Sequence, residues 1–205
     1  MSALERQRID ETRVGEARAV FAALDATLTL SAFRDGAALD RLLDEVHARC
    51  VGEVVRLLKH LGWEVHVEVS FAFEGERGSI DILAWHPLKY ALLVIEVKSE
   101  LPGIDPLLRP LDVKVRLAPR IAAGRFGWEV RSVSRIVVMP EDRTARRHVE
   151  RHDSVLRTAL PARSRQIRRW LRHPNETIAG IWFLTTAAPA STTRNPSAVR
   201  RARRP

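Results

Sequence analysis

A chain of 205 residues, 45% hydrophobic and 29% charged, is long enough to bury one sizeable core and has the balance of a globular domain with extensions. Its apolar runs are only strand-sized, its first residues lack the apolar stretch of a secretory signal, and the single Cys50 excludes an intrachain disulfide. These features point to no membrane partner and to a reducing, cytoplasmic setting. The formal charge of +9 admits a polyanionic partner without requiring one, because five of those charges are Arg194, Arg200, Arg201, Arg203 and Arg204, near the end of the sequence.

Taken in order, residues 1–23 read as an amphipathic helix with Val14, Ala17, Val20 and Phe21 on its apolar side. Thr27 to Phe33 alternates weakly, and Asp35-Gly36 is a turn. Residues 1–37 therefore form an N-terminal helical extension, a remnant of some other module. Ala38 to Leu61 is the first strong helix, since Leu42, Leu43, Val46, Cys50, Val54, Leu57, Leu58 and Leu61 recur at helical spacing and Gly62 ends it. Val65, Val67, Val69, Phe71 and Phe73 then alternate with Glu64, His66, Glu68 and Ser70, as in a half-exposed strand. Strands over 79–86 and 90–98 follow, joined by a His86-Pro-Leu-Lys89 loop.

Asp105-Pro106 opens a helix, with Asp105 as its cap and Leu108, Leu111, Val115, Ala118 and Ala122 as its apolar face. Pro110 and Pro119 should bend or break it. Trp128 to Met139 is a strand, 141–160 and 163–173 are Arg-rich helices, and Ile178 to Thr185 is a last strand. The domain then spans 38–186, and 187–205 is a disordered basic tail. Short turns make the first three strands an antiparallel meander, and the helix after them allows a crossover to a parallel fourth strand. The expected fold is α/β: a mixed β-sheet flanked by helices.

The chemistry concentrates between Gly78 and Lys98. Strand side chains alternate, so Leu92, Val94, Glu96 and Lys98 share one face, and two charges emerge together at the end of an apolar run. Buried strands rarely carry charge unless it is paired or binds a metal. Asp81 on the neighbouring strand can complete a cluster of two carboxylates and one ammonium. Such a set suits hydrolysis of a phosphodiester. Two carboxylates hold Mg²⁺ or Mn²⁺, the ion acidifies a bound water, and an ammonium offsets charge in the transition state. The carbonyl of Val97 is a further oxygen ligand candidate.

The run Gly78-Ser-Ile-Asp81, fourteen residues, then Glu96-Val-Lys98, resembles the PD-(D/E)XK nuclease superfamily, and most closely its Holliday-junction-resolvase and Mrr-like branches. The resemblance covers roughly residues 40–140 and implies a restriction-endonuclease-like αβββαβ core. It implies Asp81 and Glu96 as metal ligands, Lys98 as the catalytic lysine, DNA as substrate and, by analogy, a homodimer. Ile80 stands where the pattern usually has proline. Many members also place a metal-facing glutamate on the first helix. Here that place is near Val51, with Glu53 two residues away and His47 one turn upstream. Glu53 is thus an accessory candidate or a boundary surface residue. Lys114 is an accessory candidate or a helix-surface cation paired with Asp112. The tract from about Leu42 to Leu184 also resembles a domain found behind helix-turn-helix regulators in bacteria.

The arginines at 143, 146, 147, 151, 163, 165, 168, 169 and 172 form an Arg-rich helical pair suited to a phosphate backbone, with Arg146, Arg147, Arg165, Arg168 and Arg169 as candidate nucleic-acid contacts. The plainer reading is a solvated surface in an arginine-biased chain, for only Lys59, Lys89, Lys98 and Lys114 are lysines. His148 and His152 share a helix face without a metal-binding pattern. Cys50 and the five tryptophans read as core or sheet cover. Two functions follow: a metal-dependent DNA endonuclease, or a nuclease-fold DNA-binding or regulatory module without cleavage. RNA stays open as the nucleic acid, since neither a stacking motif nor a groove-reading helix is evident.

Overall fold

A computed structural model of the chain describes Val20, Phe21, Ala23, Leu24 and residues 37–73, 75–101 and 103–185. Most of the expected 1–23 helix, the stretch 27–33, the Asp35-Gly36 turn and the basic tail lie outside these residues. The chain divides into two compact units, Met1–Ala37 and Ala38–Pro205. The second carries the fold.

Its elements are α1 (Ala37–His60), β1 (Glu64–Phe73), β2 (Glu76–His86), β3 (Ala91–Val97), α2 (Ile104–Phe126), β4 (Ser132–Pro140), α3 (Arg143–Arg151), α4 (Asp153–Ala159), β5 (Ala162–Arg163), α5 (Ser164–Arg172) and β6 (Ala179–Leu184). The six strands form one mixed sheet in the order β1-β2-β3-β4-β6-β5. β1, β2 and β3 are an antiparallel meander, whereas β4 pairs parallel with both β3 and β6, and β5 pairs parallel with β6. The fold is α/β, with helices on both faces of the sheet. Leu107, Leu111 and Ile121 of α2, Val149 of α3 and Leu156 of α4 pack on one face with Leu92, Val94 and Val137. Cys50, Val54 and Leu58 of α1 and Ile167 and Leu171 of α5 pack on the other with Leu93, Ile95 and Ile136.

Several expectations need correction. The helix after β3 starts two residues earlier than expected, at Ile104, and is capped by Gly103, at φ 127, so Asp105 lies in its first turn and not at the cap. There its charge still suits the positive end of the helix. α2 runs unbroken through Pro110 and Pro119. Each proline removes one N–H from the ladder, and burial of Leu107, Leu111, Leu117 and Ile121 offsets that loss. The buried face of α2 keeps Leu111, Ala118 and Ala122 of the expected stripe but holds Leu107 and Lys114 in place of Leu108 and Val115, with Leu117 and Ile121 added. That shift turns Lys114 inward. The 141–160 stretch is two helices that meet at His152, and the two-residue β5 was not expected. Trp128 precedes β4, whereas β2 ends at His86 as expected and starts three residues earlier, at Glu76.

The largest departure lies in β1. Strict alternation would put Val65, Val67, Val69, Phe71 and Phe73 on one face. Instead Val65 packs on the α1 side, Val67 is 48% exposed, and Val69 and Phe71 pack on the α2 side. The exchange happens at Glu68, whose φ of 50 puts it in the left-handed region. β2 exchanges faces at the facing position: Ile80 joins the α2-side core, while Ile82 and Ala84 join the α1-side core. Beyond this point the hairpin leans on α2. Arg116 grips Glu76 through both carboxylate oxygens at 2.7 and 2.6 Å, and Arg125 donates to the Ser70 carbonyl at 2.6 Å.

Candidate functional site

The face exchange opens a fork in the sheet. The β2–β3 ladder ends at Ile82↔Ile95, although β2 continues to Glu76 paired only with β1. Asp81 is the first residue past the last rung. Its carboxylate replaces the missing ladder bond, accepting the Val97 N–H through Oδ2 at 2.7 Å. β3 continues on its other edge, where the Lys98 N–H donates to the Val138 carbonyl at 2.9 Å. Asp81, Glu96 and Lys98 therefore meet at the fork, at the C-terminal end of β3.

Glu96 points to the α2 side and is 4% exposed. Lys98 Nζ sits 2.8 Å from its Oε1, and Lys114 Nζ sits 2.5 Å from its Oε2. The two lysines differ in access, for their side chains are 32% and 11% exposed. Lys114 thus faces the cluster, and it is Arg135, not Lys114, that pairs with Asp112. The partial burial of Asp81 pushes its carboxyl pKa up from the usual value, and repulsion from Glu96 adds to the rise. The Val97 N–H and the two ammonium groups pull it back down.

α1 closes the fork from the opposite side. The Ser99 hydroxyl donates to the Leu43 carbonyl at 3.0 Å and ties the end of β3 to that helix. One turn beyond Leu43, His47 enters the site. One ring nitrogen of His47 and one oxygen each of Glu68 and Asp81 lie within 4.8 Å of one another. Glu53 does not join this group. It pairs with Arg56 at 2.9 Å on the outer side of α1. Sequence reading passed over Glu68, which looked like an ordinary outward residue of an alternating strand. Among the described residues, Asp81 and Glu96 have the donor chemistry for one divalent ion at the fork. Asp81 Oδ1 makes no backbone bond of its own, and the partly exposed Lys98 is the easier of the two lysines to move from Glu96.

A cleft of roughly 490 Å³ is lined by Val46 of α1, by Ser99 and Glu100, the residues that follow Lys98, and by Thr144 and His148 of α3, but not by Asp81, Glu96 or Lys98 themselves. A larger hollow of about 760 Å³ lies at the far edge, by Ala162, Gln166 and Trp170, and shares no residue with the fork. The Arg-rich helices are not a pair. Arg146 and Arg147 belong to α3 on the α2 side, whereas Arg165, Arg168 and Arg169 belong to α5 on the opposite face. All five are exposed. Arg146 is engaged, with its guanidinium on Glu141 at 2.5 Å and over the Phe183 ring at 4.6 Å. Only α3 borders the cleft.

A scan against protein-family models and a search of curated proteins both return no match for this chain. Among the described residues no helix is long and apolar enough to cross a membrane.

Proposed function

We propose that this chain is a divalent-metal-dependent endonuclease that hydrolyses DNA phosphodiester bonds with a restriction-endonuclease-like core. The observation that carries the reading is the convergence of Asp81, Glu96 and Lys98 at the fork, with Lys98 Nζ 2.8 Å from Glu96 Oε1 and a cleft lined by the next residues, Ser99 and Glu100. Asp81 and Glu96 are the residues that would hold Mg²⁺ or Mn²⁺, with the Val97 carbonyl as a further oxygen. The ion supplies charge stabilisation on the phosphoryl oxygens and a more acidic water. Lys98 orients that water for in-line attack and offsets charge as the 3′-oxygen leaves. Lys114 pairs with the buried Glu96 and fixes it in place. The arginines of α3 hold the phosphate backbone. Cutting both strands calls for two such sites, so a homodimer belongs to this reading, as does a cytoplasmic setting for the reduced, buried Cys50.

One observation favours a second reading, a nuclease-fold DNA-binding or regulatory module without cleavage. Both Glu96 oxygens already have ammonium partners, and the two carboxylates and two lysines balance in charge without a metal. Purified protein incubated with supercoiled and branched DNA, with and without Mg²⁺ or Mn²⁺, separates the two. Cleavage that Asp81→Ala and Lys98→Ala both abolish supports the enzyme. DNA binding without metal-dependent cleavage on any of these substrates supports the module. A parallel RNA substrate decides between the nucleic acids.

A further inference from the structure

We infer that Asp81 also seats a cation on its α1–β1 side, with His47 and Glu68 and apart from Glu96, and that the imidazole makes this a site for Mn²⁺ and later transition metals in preference to Mg²⁺. This deepens the endonuclease reading, on which the chemical role of the ion rests, but its test reads binding and not cleavage.

Three elements supply the ligands: His47 from α1, Glu68 from β1 and Asp81 from β2, with the donor atoms within 4.8 Å of one another. An ion at about 2.1–2.2 Å from each ligand holds opposed donors roughly 4.3 Å apart. The group is within reach of closing on one ion through side-chain adjustment. Glu68 and Asp81 lie between the Val67↔Ile82 and Val69↔Ile80 pairs of the β1–β2 ladder, and like charges brought together there repel. Lys98 and Lys114 ease the charge on Asp81, but both pair directly with Glu96 and offset the repulsion only in part. A cation between Glu68 and Asp81 does relieve it. Mg²⁺ favours all-oxygen sets that keep several waters, whereas a neutral imidazole nitrogen suits later transition metals, and a mixed carboxylate–imidazole set suits Mn²⁺. The superfamily pattern sought a carboxylate near Val51 on the first helix. His47, one turn earlier, supplies a nitrogen in its place.

The probe is MnCl₂ titrated into the full-length protein. Free Mn²⁺ is followed by electron paramagnetic resonance, bound Mn²⁺ by electron spin-echo modulation, and Mg²⁺ serves as competitor. Wild type is expected to bind one Mn²⁺ per chain at least tenfold more tightly than Mg²⁺, with imidazole-nitrogen modulation in the bound spectrum. His47→Ala is expected to erase that modulation, weaken Mn²⁺ about tenfold or more and narrow the Mn²⁺/Mg²⁺ ratio to within about threefold. Glu68→Gln should weaken both ions, and Glu53→Gln should change neither. Circular dichroism confirms that each variant is folded, and His47→Gln replaces His47→Ala if the latter is not. Mn²⁺ binding that His47 and Glu68 substitutions leave unchanged overturns the inference, as does the absence of Mn²⁺ binding by folded wild type. Mn²⁺ bound with the nitrogen signature, yet no cleavage of any nucleic acid, sustains this site and removes the endonuclease reading instead.

Discussion

Lys114 lies buried on α2 with its ammonium 2.5 Å from Glu96 Oε2, while Lys98 holds the other oxygen of the same carboxylate from a side chain three times as exposed. The two contacts look alike and should behave differently. Removing one partner of a buried pair strands the other charge, which costs about 3–5 kcal/mol. Because Lys98 still partners Glu96, Lys114→Met is expected to lose about 3 kcal/mol, the low end of that range. Lys98→Met, at a solvent-screened position, should lose about 1 kcal/mol or less. Adding Glu96→Gln to Lys114→Met should restore most of the loss, since no unpaired charge then remains. Urea unfolding of wild type and the three variants measures this. Equal losses for the two lysine variants contradict the division into a holding lysine and a working one. On the enzyme reading, Lys98→Met folds normally and does not cleave.

The contrast shows what the sequence carried and what it could not. α1 was legible because Cys50, Val54 and Leu58 recur at helical spacing and Gly62, at φ 83, ends the run. β3 was legible because seven consecutive buried residues leave little else for it to be. The meander and the parallel fourth strand followed from the lengths of the connections. Lys114 was misread because the apolar stripe of α2 is broad enough to fit two phases, and only packing on the sheet selects the one containing a lysine. Glu68 was unreadable for a different reason. A left-handed residue in mid-strand is ordinarily announced by glycine, and here it is a glutamate. The Asp81–Glu96–Lys98 cluster was found from period two alone, but its relation to His47 depends on how α1 crosses the sheet.

The left-handed backbone at Glu68 has a measurable cost. A non-glycine residue held there is less stable than glycine by about 1–2 kcal/mol. Glu68→Gly should therefore keep the face exchange between Val65 and Val69 and gain about 1 kcal/mol in stability. Glu68→Val, β-branched and harder to place in that region, should lose at least about 1 kcal/mol. Thermal melts without metal test both. If Glu68→Gly is destabilised, the glutamate side chain contributes more to the fold than its backbone costs. With MnCl₂ added, the wild-type melt should rise and the Glu68→Gly melt should rise less, so that the more stable variant is the poorer metal binder.

His86 gives the fold a pH dependence away from the fork. It is buried, its ring meets Trp63 edge-on at 5.1 Å, and its Nδ1 has no hydrogen-bond partner among the described residues. Burial lowers its pKa below the usual 6.5, and the charge of Lys89 adds to the depression. Above pH 6.5 the imidazole is neutral in both folded and unfolded chains and contributes no slope. As pH falls below 6.5 the unfolded chain takes up a proton that the folded chain refuses, so stability falls until the lower folded pKa is passed. Between pH 7.5 and 5 the wild-type melting temperature should therefore drop more steeply than that of His86→Leu. Parallel curves for the two proteins contradict this assignment.

Because α3 and α5 cover opposite faces, only one of them can lie along a nucleic acid that occupies the cleft beside Lys98. α3 contributes Thr144 and His148 to that cleft, and α5 contributes nothing to it. Arg146 is already engaged by Glu141 and Phe183, so of the two candidate contacts on α3 Arg147 is the one to test. Each phosphate contact releases condensed counterions, so losing one lowers the slope of log K against log salt by about 1 for duplex DNA. Arg147→Ala should weaken DNA binding and flatten that slope by about 1. Arg169→Ala on α5 should change neither, although both substitutions remove one positive charge from the chain. Fluorescence anisotropy of a labelled duplex over a range of salt concentrations separates the two helices. Equal flattening by both variants would mean that general charge, and not a path along α3, governs binding. Flattening by Arg169→Ala alone would move the nucleic acid to the other face of the sheet, away from Asp81 and Lys98, and would count against cleavage at the fork.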